Sequence, residues 1–145
     1  MNLNNGSPLG KGTLHPAGSV LDVELMTSVQ TYRRRVASAY RSVKPDEIGT
    51  GIFGAPFLVS PKVDGELWFL KIEEGTASLI SSNGKAIVGD VPILIEAREV
   101  AAKVQGPTLI AGELFAASTG KDRPRVGDVA SAMAMAGVLQ YTPAL

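Results

Sequence analysis

The sequence predicts an α+β domain in which an antiparallel β-sheet carries flanking helices. Its central part contains short apolar segments separated by the turn dipeptides Asp64-Gly65, Glu74-Gly75 and Asn83-Gly84, a pattern typical of an antiparallel meander. Segments whose apolar residues recur at helical spacing stand before and after this meander. Strands that are consecutive in the chain, with helices outside the run, favour an α+β order over an alternating parallel one.

The N-terminal third predicts an arm followed by a long helix. Residues 1–18 are rich in Gly, Asn and Pro without periodicity, so we expect a flexible N-terminal arm. Ser19 opens a segment similar to a capping box, and the apolar spacing after it predicts a helix over about 20–43. Within that helix the consecutive arginines 33–35 fan over different faces, which fits a solvated surface or a surface that contacts phosphate.

Four strands are predicted after this helix. Each is a short apolar run bounded by turn residues, and the runs are 56–60, 66–73, 76–82 and 108–116. The run 66–73 is apolar on both faces at its centre, so we expect other elements to cover both sides of it.

Two further helices are predicted. Asp90 is the expected N-cap of the first, with Pro92 in its first turn and Gly106-Pro107 as its stop. Asp128 is the expected cap of the last helix, after a charged loop at 118–128. The expected buried face of the first of these helices consists of Ile93, Ala97, Val100, Ala101 and Val104.

Composition restricts the function classes. The chain has 145 residues, with 45% apolar and 19% charged residues, which fits one globular domain. Fourteen basic residues balance fourteen acidic ones, so contact with a polyanion requires a local patch. Cysteine is absent and His15 is the single histidine, which excludes thiolate zinc sites and two-histidine metal sites. With no apolar run of membrane-span length and no signal-peptide pattern, we expect a cytoplasmic protein.

The segment "SPKVDGELW" at 60–68 holds the most suggestive residue, Lys62. A lysine between an apolar strand and a tight turn loses solvent, which lowers its pKa and favours the neutral, nucleophilic amine. Gly65 permits close approach of the backbone to a ligand, and Asp64 and Glu113 are acidic candidates for orienting it. The residues alone favour a surface lysine beside an ordinary Asp-Gly hairpin over a nucleophile.

Three ordered motifs extend this observation. "KVDG" (62–65), "SSNGK" (81–85) and "AGEL" (111–114) resemble the first three motifs of the ATP-dependent DNA ligases, members of the covalent nucleotidyltransferases. The resemblance covers about residues 20–120. It implies that residues 19–145 form the first half of a ligase-type nucleotidyltransferase (ATP-grasp-like) domain, a partial adenylation domain.

The resemblance also implies roles for individual residues. Lys62 matches the lysine that attacks the α-phosphate of ATP and holds AMP, and Glu113 matches the glutamate that hydrogen-bonds the ribose. The remaining nucleotide-binding positions implied are Ser60, Val63, Asp64, Gly65 and Asn83. ATP and Mg²⁺ are the implied cofactors, and nicked DNA is the implied partner.

The sequence departs from the ligase pattern at three positions. Leu67 and Ser82 stand where the family has arginine, and Ala111 stands where it has aspartate. The family's later motifs and its OB-fold have no counterpart after Glu113. We therefore expect either a fragment or a chain whose remaining half comes from a second polypeptide.

Two other interpretations of the sequence stay open. The chain is alternatively a noncatalytic nucleotide- or partner-binding module with the same fold, which the three departures favour. It is alternatively an RNA ligase or a capping-type relative, distinguished by its acceptor and its nucleotide. The basic loop at 121–125 fits either DNA contact or scattered surface charge.

Overall fold

Strands and helices alternate in blocks along the chain. The computed structural model describes residue 3 and residues 5–40, 42–48, 65–116 and 126–135. The strands are β1 (Ser7–Leu9), β2 (Gly12–His15), β3 (Glu66–Glu73), β4 (Thr76–Ser81), β5 (Ala86–Gly89) and β6 (Thr108–Leu114). The helices are α1 (Val23–Ala39), α2 (Pro92–Ala101) and α3 (Val126–Met135), with a 3-10 turn at Pro45–Glu47.

The strands described in these ranges form a six-stranded antiparallel sheet in the order β1-β2-β5-β4-β3-β6. The coarse fold class predicted from the sequence, α+β with an antiparallel sheet and flanking helices, is therefore confirmed. Strand β3 has the predicted bounds, while β4 and β6 are slightly shorter than predicted. The predicted strand at 56–60 lies outside the described residues.

Turn chemistry explains the central hairpins. Glu73 pairs with Thr76, and the two residues between them, Glu74 and Gly75, have φ of 50° and 72°. Two consecutive residues with positive φ make the turn that matches the twist of a two-residue hairpin. Gly84, with φ of 78°, ends the turn between β4 and β5. Glu74-Gly75 and Asn83-Gly84 therefore both lie in turns, as predicted.

The N-terminal segment differs from the expected arm. Residues 7–15 form the β1–β2 hairpin, which pairs with β5 through Leu14 opposite Ile87. Gly10, with φ of 59°, supplies the left-handed turn conformation. The expectation of a flexible arm at 1–18 is therefore wrong for 7–15, which form a hairpin paired with β5. Two apolar residues, Leu9 and Leu14, are enough to form this hairpin because β5 pairs with β2 and extends the sheet.

Helices cover both faces of the sheet. On one face, α1 buries Val29, and its Tyr32 packs edge-on against Phe69 of β3 with ring centroids 5.5 Å apart. On the other face, Trp68 of β3 belongs to a cluster that includes Leu94 of α2. The remaining members of that buried cluster are Leu9, Leu79, Ile87, Val91, Leu114 and Met133. The expectation that β3 is covered on both sides is confirmed.

The capping residue of α1 differs from the predicted one. Asp22 is the N-cap, and its side chain accepts a hydrogen bond from the Leu25 N–H at 3.0 Å. Ser19 is buried instead, and its backbone N–H donates to the Gly84 carbonyl at 3.1 Å. The helix starts later because residues 18–20 are used to hold the β4–β5 turn. It also ends earlier than predicted, at Ala39.

The starts of α2 and α3 also differ from the predictions. Val91 precedes α2 as its N-cap, and Asp90 instead forms an ion pair with Arg98. Helix α2 ends at Ala101, before the predicted stop. Asp128 lies within α3, which begins at Val126, so it is not the cap.

The buried face of α2 is rotated from the predicted one. Leu94, Ala97 and Ala101 are buried, whereas Ile93 and Val100 are 37% and 42% exposed. Ala97 and Ala101 are therefore buried as predicted, Leu94 joins them, and three β-branched residues, Ile93, Ile95 and Val100, lie toward solvent.

Two of the three valines of α1, Val23 and Val29, give a test of how the helix is docked. Val29 is fully buried and Val23 is 77% exposed, although both lie in the same helix. We expect Val29→Ala to lower the free energy of unfolding by about 2 kcal/mol, from lost burial and the cavity left behind. Val23→Ala, with the same change in helix propensity, should change it by less than about 0.5 kcal/mol. Urea unfolding followed by the fluorescence of Trp68 measures both, and equal losses would contradict the docking of α1.

Candidate functional site

The described parts of the three sequence motifs meet at one edge of the sheet. Trp68 of β3 is paired with Ser81 at the end of β4 and with Gly112 near the end of β6. In an antiparallel sheet the start of one strand lies beside the ends of its neighbours. The residues just before β3, just after β4 and at the end of β6 therefore share this edge. We call it the motif edge, defined by Gly65, the turn 82–84 and Glu113.

Gly65 and Glu113 are in direct proximity. A Cβ atom added to Gly65 would lie 3.2 Å from the Glu113 carboxylate oxygen Oε2 and 2.7 Å from the Leu114 carbonyl oxygen. A real side chain does not fit at the second distance, so this approach of two strands requires glycine. The last residue of the first motif is thus held against the glutamate of the third, although 48 positions separate them in the sequence.

The turn of the second motif is held by its own hydrogen bonds. The Ser81 hydroxyl donates to Asn83 Oδ1 at 2.6 Å and accepts from the Lys85 N–H at 3.0 Å. The Gly18 N–H donates to the Asn83 carbonyl at 3.0 Å. The Asn83 side-chain oxygen therefore supports the turn. Its predicted part in nucleotide binding remains a prediction.

The departures from the ligase pattern have definite surroundings. Leu67 is the cross-strand partner of Glu113, so an arginine at position 67 would face this carboxylate at ion-pair distance. Ala111 is paired with Phe69 under α1, where a small apolar residue fits. Ser82 accepts a hydrogen bond from Arg33 of α1 at 3.3 Å.

Several predicted site residues lie outside the described residues. These are Ser60, Lys62, Val63 and Asp64.

Gly65, Asn83 and Glu113 do not line three shallow grooves of the described surface, and no metal-suited group of side chains occurs among the described residues. Shallow grooves of about 400, 370 and 360 Å³ lie near Ala111 and Arg35, near Lys71 and Glu73, and near Val104. Gly65, Asn83 and Glu113 are not among their described lining residues. No group of three or more His, Asp or Glu side chains suited to a metal ion occurs among the described residues. Within the same ranges, no helix has the length and apolar character required to cross a membrane.

Comparison with known proteins gives no relative for this chain. A scan against protein-family models, a search of curated proteins and a search of solved structures each return no match.

Arg33 is the residue at this edge that the sequence did not single out. The sequence marks all three arginines of α1 alike, and the partner of Arg33 is 49 positions away. The rotation of α1 selects Arg33, because Val29 and Tyr32 turn one side of the helix onto the sheet. The spacing of residues within the helix does not predict a side-chain contact with a residue 49 positions away.

The approach of Gly65 to β6 predicts an asymmetry between two glycines. Gly65→Ala places a methyl group 2.7 Å from the Leu114 carbonyl, so we expect a loss of about 1–3 kcal/mol in the free energy of unfolding. Gly112→Ala, in β6 itself, meets nothing within 4 Å and should be nearly neutral. Neither glycine has positive φ, so backbone strain does not separate them. Equal urea midpoints for the two variants would show that Gly65 does not approach β6 as described.

Proposed function

We propose that the chain carries the nucleotide-attachment site of an ATP-dependent DNA ligase-type nucleotidyltransferase, with Lys62 as the nucleophile. The observation that supports this most is that the described parts of the three motifs share one sheet edge, with Gly65 held against Glu113. Scattered chance matches to short patterns have no reason to meet in space. The finer fold assignment, the first half of a ligase-type nucleotidyltransferase domain, belongs to this same proposal.

The proposed reaction is transfer of AMP to the lysine. The neutral Lys62 Nζ attacks the α-phosphorus of ATP, a nitrogen–phosphorus bond forms, and the bond to the pyrophosphate leaving group breaks. The amine proton is released to solvent. In the DNA ligase reaction AMP then passes to the 5′-phosphate of a nick, and the adjacent 3′-hydroxyl displaces it as the strand is sealed. Positioning and charge stabilisation dominate such transfers, so few catalytic side chains are required.

The described residues fit a nucleotide in part. Glu113 is exposed at the motif edge, and its carboxylate can accept hydrogen bonds from ribose hydroxyls. Gly65 presents backbone without a side chain beside it. Mg²⁺ is commonly held by substrate phosphates with one or two carboxylates, so the absence of a three-residue cluster in the described ranges is compatible with a metal carried by ATP.

A noncatalytic module is the second candidate. It is favoured by Leu67, which leaves Glu113 without a cross-strand cation, and by the hydrogen bonds that engage Asn83 within its own turn. In this interpretation the motif edge retains its architecture and binds a nucleotide or a partner protein without forming a covalent bond. Binding without covalent transfer is the property that separates the two candidates.

Covalent labelling tests the proposed function. With ATP labelled in the α-phosphate and Mg²⁺, we expect acid-labile AMP on Lys62, in a yield that rises with pH as the amine loses its proton. Lys62→Ala and Lys62→Arg should both abolish the label, because a guanidinium stays charged in this range. Glu113→Ala should reduce the rate by about 10- to 100-fold, since it removes hydrogen bonds to a charged acceptor worth about 1.5–3 kcal/mol.

The control is Lys103→Ala, an exposed lysine beyond α2, which should label as the unchanged chain does. Each variant is also assayed for ATP binding by equilibrium dialysis. ATP binding without AMP on Lys62 would favour the noncatalytic module. Failure to bind ATP at all would refute the nucleotide site.

A further inference from the structure

We propose that Arg33 of α1 is an anion-binding residue of the motif edge and contacts a phosphate group of the nucleotide. The proposal rests on the proposed function for the identity of the ligand. It assigns to that site a residue from a different element, far from the three motifs in the sequence. The starting observation is the hydrogen bond from the Arg33 guanidinium to the Ser82 hydroxyl at 3.3 Å.

The position of Arg33 is set by packing. Val29 is fully buried, and Tyr32 packs edge-on against Phe69 of the sheet at 5.5 Å between ring centroids. These contacts fix the rotation of α1, so the residue after Tyr32 projects from the helix toward the β4–β5 turn. The Ser82 hydroxyl then holds the guanidinium at the motif edge and reduces its freedom before any ligand binds.

The charge of Arg33 is not neutralised by this contact. A hydroxyl is a neutral partner and accepts from one of the five guanidinium N–H groups. Among the described residues, Arg33 forms no ion pair with a carboxylate, whereas Lys71 and Arg98 pair with Glu73 and Asp90. A cation held in place with most of its donors unused is suited to a phosphate, which guanidinium binds through two parallel hydrogen bonds.

The distances at the motif edge suit a nucleotide that bridges the two sides. Glu113 belongs to β6 and Ser82 follows β4. Because β3 lies between these two strands, they are about 10 Å apart, which is two strand spacings. Gly65, the described residue of the first motif, lies between them, because it leads into β3 and β3 stands between β4 and β6. An acidic side chain at one end and a basic one at the other match a molecule with ribose hydroxyls and a polyphosphate. Ser82 is one of the three departures from the ligase pattern, and its hydroxyl is what receives the arginine from α1.

The test compares three ligands with and without phosphate. Equilibrium dialysis of the full chain uses ATP, adenosine and inorganic tripolyphosphate. We expect Arg33→Gln to raise the Kd for ATP and for tripolyphosphate by about tenfold, and to leave the Kd for adenosine unchanged. The affinity difference from the unchanged chain should shrink as salt is added. Arg34→Gln is the matched control, because it removes the same charge from the next position of the same helix and should shift each Kd by less than about twofold.

Ser82→Ala separates anion binding from a purely structural tether. It removes the hydroxyl that holds the guanidinium, so we expect a smaller rise in the Kd for ATP than with Arg33→Gln. If Arg33→Gln and Ser82→Ala lower the urea midpoint equally and neither changes the Kd for ATP, the contact is a tether and the proposal is overturned.

The outcomes also distinguish this proposal from the proposed function. If the unchanged chain binds ATP and Arg33→Gln binds it as tightly, only the role of Arg33 is overturned. If tripolyphosphate binds in an Arg33-dependent manner and ATP does not bind, the anion site stands and the nucleotide function falls. If neither ligand binds the unchanged chain, both are overturned.

Discussion

The pairing of β3 with both of its neighbours is the constraint on which the rest of the structure depends. Trp68 stands opposite Ser81 on one side and Gly112 on the other. A slip of one residue would exchange the faces of the strand, because side chains alternate. Phe69 would then leave the face covered by α1, and Trp68 would leave the cluster with Leu94. The same register brings Gly65 beside Glu113, so the two cores and the motif edge are fixed together.

Local patterns in the sequence predict strands β3, β4 and β6 of this sheet, but they do not predict β1, β2, β5 or the start of α1. Glu74-Gly75 specifies its hairpin through the backbone angles that it permits, and β3 is long enough for its pattern to be clear. The β1–β2 hairpin and β5 were missed because strands of three or four residues carry too few apolar positions. Asp22 caps α1 in place of Ser19 for a tertiary reason, since the preceding residues bond to Gly84. Tertiary contacts overrode a sound local preference there.

The candidate site could be predicted as a set of residues but not as an arrangement. Motif order indicated Gly65, Asn83 and Glu113, yet no local rule states that β6 pairs with β3. That pairing closes a loop of more than thirty residues and depends on the complete sheet. Arg33 could not be separated from its two neighbours, because its selection depends on the rotation of α1 against Phe69. Contacts that arise only from packing leave no pattern in the spacing of residues along the sequence.

Electrostatics at the motif edge links the fold to the choice between enzyme and binding module. Glu66 and Glu113 are both exposed at this edge, and carboxylates repel the phosphates of a nucleotide. The ligase pattern would offset them with arginines at positions 67 and 82, and both are absent here. A polyphosphate is held at such an edge only where cations are supplied by other means. Among the described residues, Arg33 is the one we propose for this role, and Lys62 is the nucleophile that the resemblance implies. Under the proposed function, the edge therefore depends on α1 as well as on the three motifs, because the helix supplies a charge that Leu67 and Ser82 do not.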